Sequence, residues 1–160
     1  MLDRIIASLE LPDIAISANG NAARFGRTVL PDGPFAGEGP LAGVLAGLDW
    51  AAGIGAEALL TVPGDTPFVT RGLVAALSPA PACAASHGRV HYLVALWPAG
   101  ARIALRALLS HPGPRHVARF AQGIGMRRVD FPVGACDPFL NVNTPDDLAA
   151  ARRRVEGDHE

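Results

Sequence analysis

Hydrophobic positions along the chain fall at helical spacing in some stretches and in short continuous runs in others. The first ten residues have apolar side chains three and four apart, which predicts an amphipathic helix over 1–10. Its apolar residues are Leu2, Ile5, Ile6 and Leu9. Short apolar runs bounded by turn residues predict strands. The predicted strands cover 13–17, 28–30, 58–62, 82–86, 90–97 and 127–131.

Helices are predicted between these strands. They begin at Leu41, run through the apolar positions 73–77, and cover 101–109 and 115–122. A last helix follows Thr144, a good N-cap, with Pro145 at the first helical position and acidic residues behind it. Elements of both kinds alternate, which indicates an α/β fold. With no repeat or linker between them, we expect one domain over 1–155 and a tail over 156–160.

Two polar features have both a structural and a functional interpretation. His87-Gly88-Arg89 predicts a tight hairpin between two strands, and His91 in the second strand is more often structural than catalytic. The predicted helix 115–122 carries Arg115, His116 and Arg119. We expect these residues to form a solvated face, the alternative being contact with an anionic substrate.

Composition narrows the classes of function. The formal net charge is −1, which argues against a nucleic-acid-binding protein. All basic residues are arginine, so no lysine is available to hold a phosphate or to form a Schiff base. No apolar run is long enough to cross a membrane, and the first residues lack a signal-peptide pattern. We therefore expect a cytoplasmic protein that needs neither nucleic acid nor a membrane.

A single carboxylate, Asp65, follows the apolar run Ala58 to Val62 and the turn Pro63-Gly64. The continuous run predicts a buried strand of a parallel sheet, and ligands bind beyond the carboxyl ends of such strands. With no basic residue close in sequence, this carboxylate needs another partner. Mg²⁺ with the phosphates of a nucleotide fits that role. The alternative, equally open from the sequence, is that Asp65 only caps the turn.

Three further sets of residues are candidates for ligand binding. Asn19 follows a strand and either binds a ligand or adopts a left-handed turn. Gly39 and Gly43 flank a helix start, where a ligand can approach the backbone and free amides favour phosphate. The alternative is structural, because Gly-Pro is a common turn signal before a helix. Asn141 and Asn143 lie two residues apart on an extended segment, so their amides point the same way. They suit a heteroaromatic or phosphate ligand.

Together, the motifs resemble those of the molybdenum cofactor guanylyltransferases. The resemblance covers the chain from about Leu2 to Val155, with Tyr92 where that family usually has proline. The motifs, in chain order, are Gly39-Pro40-Leu41-Ala42-Gly43, Pro63-Gly64-Asp65-Thr66-Pro67-Phe68, His91-Tyr92-Leu93-Val94-Ala95-Leu96 and Asn141-Val142-Asn143-Thr144-Pro145. The first two also occur in related sugar-nucleotide and cytidylyl transferases.

This resemblance implies a Rossmann-like, three-layer nucleotidyltransferase fold with a mostly parallel sheet. It implies transfer of GMP from GTP to the terminal phosphate of molybdenum-molybdopterin, with release of pyrophosphate. Molybdoenzymes or other cofactor-biosynthesis proteins would be partners. The implied roles are Mg²⁺ and phosphate binding for Asp65, guanine-nucleotide contact for Asn19 and Asp32, loop shape for Gly39 and Gly43, and pterin contact for Asn141 and Asn143.

One departure from the family changes the expectation. The family begins with a strand and a Gly-rich loop that wraps the nucleotide phosphates, whereas this sequence begins in the helix that should follow. Residues 18–26 contain glycines and an arginine but follow the wrong strand. The resemblance therefore implies an N-terminally truncated domain that lacks its first strand and exposes apolar surface. Two alternatives remain: a non-catalytic pterin- or nucleotide-binding remnant that needs a partner to complete its sheet, and a transferase using CTP or a sugar phosphate.

Overall fold

The computed structural model describes residues 1–157, and each predicted helix and strand is present there with small differences at its ends. The elements are α1 Leu2–Leu9, β1 Ala15–Ser17, β2 Thr28–Leu30, α2 Pro40–Gly53, β3 Ala58–Thr61, α3 Leu73–Leu77, β4 Ala82–Ser86, β5 Arg89–Pro98, α4 Ala101–Ser110, α5 Val117–Gly123, β6 Arg127–Asp130 and α6 Pro145–Gly157. Helix α6 includes the first residues of the expected 156–160 tail, and 158–160 lie outside the described residues.

The strands form two separate sheets. The larger has the order β3-β5-β4-β6, in which β5 is antiparallel to both of its neighbours and β4 is parallel to β6. Strands β3, β4 and β6 therefore share one direction. The smaller sheet is the parallel pair β1-β2. Positive φ values at His87 (48°) and Gly88 (74°) make the predicted hairpin that reverses β5. The expected α/β class is confirmed.

Helices cover both faces of the larger sheet. Alternate residues of β5 point to opposite faces: Ala95 and Trp97 join a core with α2, α4 and α5, and Val94 and Leu96 join a core with α1 and α3. Both cores consist mainly of buried aliphatic and aromatic side chains. The result is the expected three-layer arrangement, with the sheet between two layers of helices.

Helix α2 holds the two sheets side by side through two glycines. A Cβ on Gly43 would lie 2.6 Å from Ser17 Oγ of β1, and a Cβ on Gly47 would lie 2.8 Å from Leu59 Cδ2 of β3. These glycines are one helical turn apart and so face the same side. Because α2 begins beside the end of β1 and leads by a short connection into β3, both strands run opposite to α2. Strands β1 and β3 are therefore parallel to each other.

An apolar groove of about 700 Å³ separates β1 from β3. Consecutive residues of both strands line it, with α1 and α2 above and below. Only Leu59 of the four residues in β3 is buried, because the edge of the strand opens into the groove. The prediction that 58–62 is a buried strand of a parallel sheet was therefore wrong in burial and in pairing: β3 has the same direction as β4 and β6, but it is partly exposed and pairs antiparallel with β5. The expected exposure of apolar surface is present here.

The end of β3 is fixed by the hydroxyl of Thr61. Its Oγ1 donates to the carbonyl oxygen of Leu93 (2.9 Å) and accepts a hydrogen bond from the indole Nε1 of Trp97 (2.8 Å). The Trp97 side chain is fully buried. This hydroxyl therefore satisfies the indole N–H within the core while it ties β3 to β5.

We expect Thr61→Val to lower the free energy of unfolding by about 1–3 kcal/mol, because the valine leaves the buried Trp97 N–H without an acceptor. Urea unfolding followed by tryptophan fluorescence measures the change. Thr61→Ser keeps the hydroxyl and serves as the matched control, so it should lose less. Equal losses in both variants would show that the methyl group, and not the hydroxyl, is responsible.

Candidate functional site

The turn after β3 carries Asp65 and is held by hydrogen bonds from the next residue, Thr66. The Thr66 hydroxyl donates to the carbonyl oxygen of Pro63 (2.8 Å), and the Thr66 backbone N–H donates to the same oxygen (3.3 Å). Thr66 is buried with 1% of its surface exposed. Thr66 thus closes the turn, and the carboxylate of Asp65 takes no part in the hydrogen bonds that define it.

The Asp65 carboxylate has a buried oxygen without a partner. Within the described residues, Oδ1 is inaccessible to solvent and makes no hydrogen bond. A buried carboxylate oxygen without a donor is costly, because it loses its hydration without compensation. The alternative that Asp65 only caps its turn does not account for this oxygen. A cation would satisfy it.

The segment with the paired asparagines lies directly against this turn. The backbone N–H of Val142 donates to the carbonyl oxygen of Asp65 at 2.7 Å. Val142 is buried, whereas Asn141 and Asn143 on either side of it are exposed. The alternation places both amides on the outer side of the segment, as their spacing predicts. The structure therefore brings Asp65 and the two asparagines together.

A buried polar cluster fixes the start of the same segment to the sheet. Ser86 at the end of β4 donates its hydroxyl to Asp137, with both carboxylate oxygens at 2.9 Å, and contacts His91 Nε2 at 2.8 Å. Asp137 also accepts from the backbone N–H of Phe139 (2.9 Å), whose ring lies 5.1 Å from that of His91. The cluster joins β4, β5 and the loop before the asparagines. His91 thus has the structural role that its strand position favours.

Ser86, His91 and Asp137 do not form a nucleophilic triad. Serine has one hydroxyl proton, which goes to Asp137, so Nε2–H of His91 must donate to the serine oxygen. In a catalytic triad the histidine instead accepts the serine proton, and the carboxylate holds the histidine. Ser86 is also only 2% exposed. The geometry gives this cluster a positioning role without an activated nucleophile.

Asn19 and Asp32 form a second group at the carboxyl ends of β1 and β2. Asn19 Nδ2 donates to Asp32 Oδ2 (2.9 Å), and Asn19 Oδ1 accepts from the backbone N–H of Asp32 (3.0 Å). Gly39, with φ of +80°, begins α2 beside them, and a Cβ on Gly43 would lie 3.7 Å from Asp32 Oδ1. The positive φ at Gly39 requires glycine, and Gly43 has no room for a methyl group beside Ser17.

The two groups lie at one end of the groove between β1 and β3. Its lining includes Asp32, Gly39 and Gly43 from the second group, and Pro63 and Gly64, which immediately precede Asp65. Strands β1 and β3 are parallel, so their carboxyl ends share this edge, where ligands bind in α/β folds. All seven predicted site residues thus belong to two groups at this end of the groove, and Asp65 adjoins the groove through Gly64.

Arg115 was predicted to belong to a solvated face, and that prediction was wrong. Its side chain is 15% exposed and its Nε donates to Glu38 Oε2 at 2.8 Å. The rest of the guanidinium caps the end of α4 by donating to the carbonyl oxygens of Leu108, Leu109 and His111. Because Glu38 precedes Gly39, this contact ties the end of α4 to the loop that opens α2. His116 and Arg119 are exposed, as expected.

Comparison with known proteins decides the family. A protein-family model described as "MobA-like NTP transferase domain" matches residues 1–127 of this chain. The chain is 54% identical over 156 residues to the molybdenum cofactor guanylyltransferase of Acidiphilium cryptum (strain JF-5), covering 94% of this chain and 79% of that protein. It belongs to the MobA-like NTP transferase family. A further relative, the molybdenum cofactor guanylyltransferase of Rhodobacter capsulatus, is 46% identical over 161 residues, which cover 97% of this chain and 82% of that protein.

Solved structures agree with this assignment at the level of fold. A putative protein from Aquifex aeolicus VF5 has a TM-score of 0.76 at 17% identity, covering 89% of this chain and 78% of that one. Molybdopterin-guanine dinucleotide biosynthesis protein A from Archaeoglobus fulgidus has a TM-score of 0.68 at 19% identity, covering 97% and 85%. The predicted nucleotidyltransferase fold is therefore confirmed. The enzyme class is confirmed by the family model and by the relatives named above.

Members of this enzyme class generally use a divalent metal ion, and Asp65 fits one. No group of three or more His, Cys, Asp or Glu side chains that could enclose a metal occurs among residues 1–157. Mg²⁺ does not require such an enclosure, since it is commonly held by one or two carboxylates together with substrate phosphates and water. The buried, unpartnered Oδ1 of Asp65 would supply one such ligand.

None of the described helices combines the length and the apolar character needed to span a membrane.

Several residues that shape the site were missed in the sequence. Asp137, Ser86 and Glu38 come from distant parts of the chain, and none lies in a recognisable pattern. Residues 86 and 91 are close only because the hairpin pairs their strands, and Asp137 reaches them through the loop after β6. A buried serine next to a short turn is too common to have been a signal.

Burial lowers the pKa of His91; the nearby Asp137 raises it and Arg89 lowers it further. The His91 imidazole therefore binds a proton more readily in the unfolded chain than in the folded chain. The contribution of His91 to the free energy of unfolding is fully present above the ordinary histidine pKa. It falls as the pH decreases towards the lowered pKa of His91 in the folded chain.

We expect the thermal midpoint to fall between about pH 7.5 and about pH 5.5, and His91→Gln to flatten that fall, because glutamine can still donate to Ser86 but does not titrate. Differential scanning fluorimetry across this range measures it. His116→Gln, at an exposed position, should follow the original chain. The assignment fails if His91→Gln keeps the full pH dependence.

Proposed function

We propose that this enzyme transfers GMP from GTP to the terminal phosphate of molybdenum-molybdopterin, forming the guanine dinucleotide cofactor and pyrophosphate. The relatives in Acidiphilium cryptum and Rhodobacter capsulatus are named molybdenum cofactor guanylyltransferases, and the first of them shares more than half of its aligned residues with this chain. The observation that carries the proposal is the unpartnered Asp65 carboxylate, whose residue is joined to the asparagine segment by the 2.7 Å bond from the Val142 N–H to the Asp65 backbone carbonyl.

The reaction is a substitution at the α-phosphorus of GTP. An oxygen of the substrate's terminal phosphate forms a bond to that phosphorus, the bond to the β-phosphate oxygen breaks, and pyrophosphate leaves with the electron pair. The attacking phosphate is already ionised at neutral pH, so the reaction needs alignment and charge stabilisation but no nucleophile from the protein. The absence of an activated nucleophile at Ser86 fits this requirement.

Each set of residues has a defined task in this proposal. Asp65 holds Mg²⁺, which when bound neutralises the developing negative charge on the phosphates. Asn19 and Asp32 contact the guanine nucleotide, while Gly39 and Gly43 keep the adjoining loop close to the phosphates. Asn141 and Asn143 contact the pterin substrate. Asp137 and Ser86 position that last segment without touching substrate.

We expect Asp65→Asn to abolish transfer and to weaken Mg²⁺-dependent GTP binding while it leaves the fold intact, because an amide is a much weaker ligand for Mg²⁺ than a carboxylate. Isothermal titration with GTP, with and without Mg²⁺, measures binding, and circular dichroism checks the fold. The loss expected in affinity is about tenfold or more, since charged interactions with a metal exceed ~1.4 kcal/mol.

Asp3→Asn, at an exposed position of α1, is the control and should bind GTP as the original chain does. Excess CTP should not displace GTP, and equal displacement would favour the cytidylyl alternative. Metal-dependent transfer that persists in Asp65→Asn would remove Asp65 from the metal role. If the original chain binds GTP with Mg²⁺ but never transfers, the non-catalytic alternative gains support.

Asn143→Ala should weaken use of the pterin substrate more than GTP binding, because its amide lies on the outer side of the 141–143 segment. The measurement compares KM for molybdopterin with the dissociation constant for GTP. Removing one hydrogen bond should raise that KM by about fivefold to tenfold. Equal losses for both substrates would contradict a pterin-specific role and would indicate a general disturbance of the segment.

A further inference from the structure

We propose that Arg115 and Glu38 form a positioning pair that fixes the loop 32–39 and, through this loop, the hydrogen-bonded residues Asn19 and Asp32. The functional part of this inference rests on the proposed function, in which Asn19 and Asp32 contact the guanine nucleotide. Neither member of the pair touches the nucleotide. Both act by holding the loop in the conformation that binds it.

The loop has few side chains that could hold it in place. The seven residues between Asp32 and α2 are Gly-Pro-Phe-Ala-Gly-Glu-Gly, in which Glu38 has the only ionisable side chain. Gly37 and Gly39 on either side of it have φ values of +88° and +80°, a region that glycine enters at little cost. The backbone around Glu38 therefore has wide conformational freedom, and the ion pair made by its side chain restricts that freedom.

Two successive turns connect Glu38 to Asp32. The backbone N–H of Glu38 donates to the carbonyl oxygen of Phe35 (3.0 Å), and the backbone N–H of Phe35 donates to the carbonyl oxygen of Asp32 (3.3 Å). The Phe35 side chain packs against the core that contains α2. Asp32 in turn makes its two hydrogen bonds with Asn19. A continuous path of bonded groups therefore leads from Glu38 to both residues proposed to contact the nucleotide.

Arg115 is a fixed point from which the loop can be held. Its guanidinium donates to the carbonyl oxygens of Leu108, Leu109 and His111 at 3.0, 3.2 and 2.6 Å, as well as to Glu38. The last carbonyl groups of a helix have no partner within the helix, so these bonds anchor the arginine to the end of α4. A planar group with five N–H donors can bind the helix end and the carboxylate at once.

The arginine also bridges two groups that would otherwise repel each other. The carboxylate of Glu38 and the carbonyl oxygens at the end of α4 bind the same guanidinium. Both carry negative charge, because the carboxyl end of a helix is the negative end of its dipole. Loss of Arg115 should therefore push Glu38 away from α4, and it should displace the loop more than loss of the Glu38 charge does.

A second ion pair between the same parts of the structure provides a matched control. Arg106 of α4 contacts Asp49 in the second half of α2. The two acidic partners are similarly exposed, at 39% for Asp49 and 42% for Glu38. If both pairs only joined α2 to α4, neutralising either acid would have the same effect. A positioning role for Glu38 predicts a difference, because Asp49 is not part of the loop.

Isothermal titration of the full chain with GTP and Mg²⁺ tests the functional part. Glu38→Gln should raise the dissociation constant for GTP by about threefold to tenfold, because part of the binding free energy must then order the loop. Asp49→Asn removes the acid of the other pair and should change this constant by less than about twofold. Equal changes in the two variants would overturn the positioning role.

A double-variant cycle separates positioning of the loop from capping of α4. Arg115→Met removes both and should raise the dissociation constant for GTP more than Glu38→Gln does. Adding Glu38→Gln to Arg115→Met should recover part of that loss, because the repelled carboxylate is then absent. Losses that simply add would show that Arg115 acts through α4 alone and would overturn the pair. If Arg115→Met does not fold, the comparison of Glu38→Gln with Asp49→Asn still decides.

Amide hydrogen exchange, measured by NMR without nucleotide, distinguishes failure of this inference from failure of the proposed function. In Glu38→Gln, the backbone N–H of Asp32, which donates to Asn19, should exchange about threefold faster or more. The N–H of Val142, which donates to Asp65 in the other group, should keep its rate. Unchanged exchange at Asp32 would overturn the positioning pair. If exchange at Asp32 rises but the original chain binds no GTP, the pair still positions the loop, and the proposed function fails instead.

Discussion

The close contact between α2 and the two sheets is the constraint on which the rest of the structure depends. Gly43 and Gly47 bring the helix backbone against Ser17 and Leu59, so one helix sets the positions of β1 and β3. The start of α2 is held in turn by Gly39 and by the contact between Glu38 and Arg115. These contacts bring the carboxyl ends of the strands to a common edge, where the candidate site lies.

At that edge, the residues that position the loops differ from the residue that is a candidate metal ligand. Thr66 closes the turn after β3, and Ser86 and Asp137 hold the loop that approaches it, so that Asp65 keeps an oxygen without a partner. A transfer between phosphates suits this arrangement, because the reacting oxygen is supplied by the substrate and the protein supplies alignment and a metal ligand. The polar cluster around His91 is then a support for the site and needs no reactivity of its own.

The same strands that carry the site also border the apolar groove. The carboxyl end of β1 leads to Asn19 and that of β3 leads to Gly64 and Asp65, while the edges of both strands, residues 14–17 and 58–62, line the groove. Order along these edges and order at the site are therefore physically connected.

The local pattern of the sequence was sufficient for the elements and for much of the site. Periodicity predicted each helix and strand, the capping residues around Thr144 predicted the start of α6, and the spacing of Asn141 and Asn143 predicted their shared direction. These features depend on residues a few positions apart. The partial burial of β3, the buried guanidinium of Arg115 and the Ser86–His91–Asp137 cluster were decided only by tertiary structure. Each depends on which distant segments meet, because burial and hydrogen-bond partners are properties of the packed chain and leave no periodic signal along it.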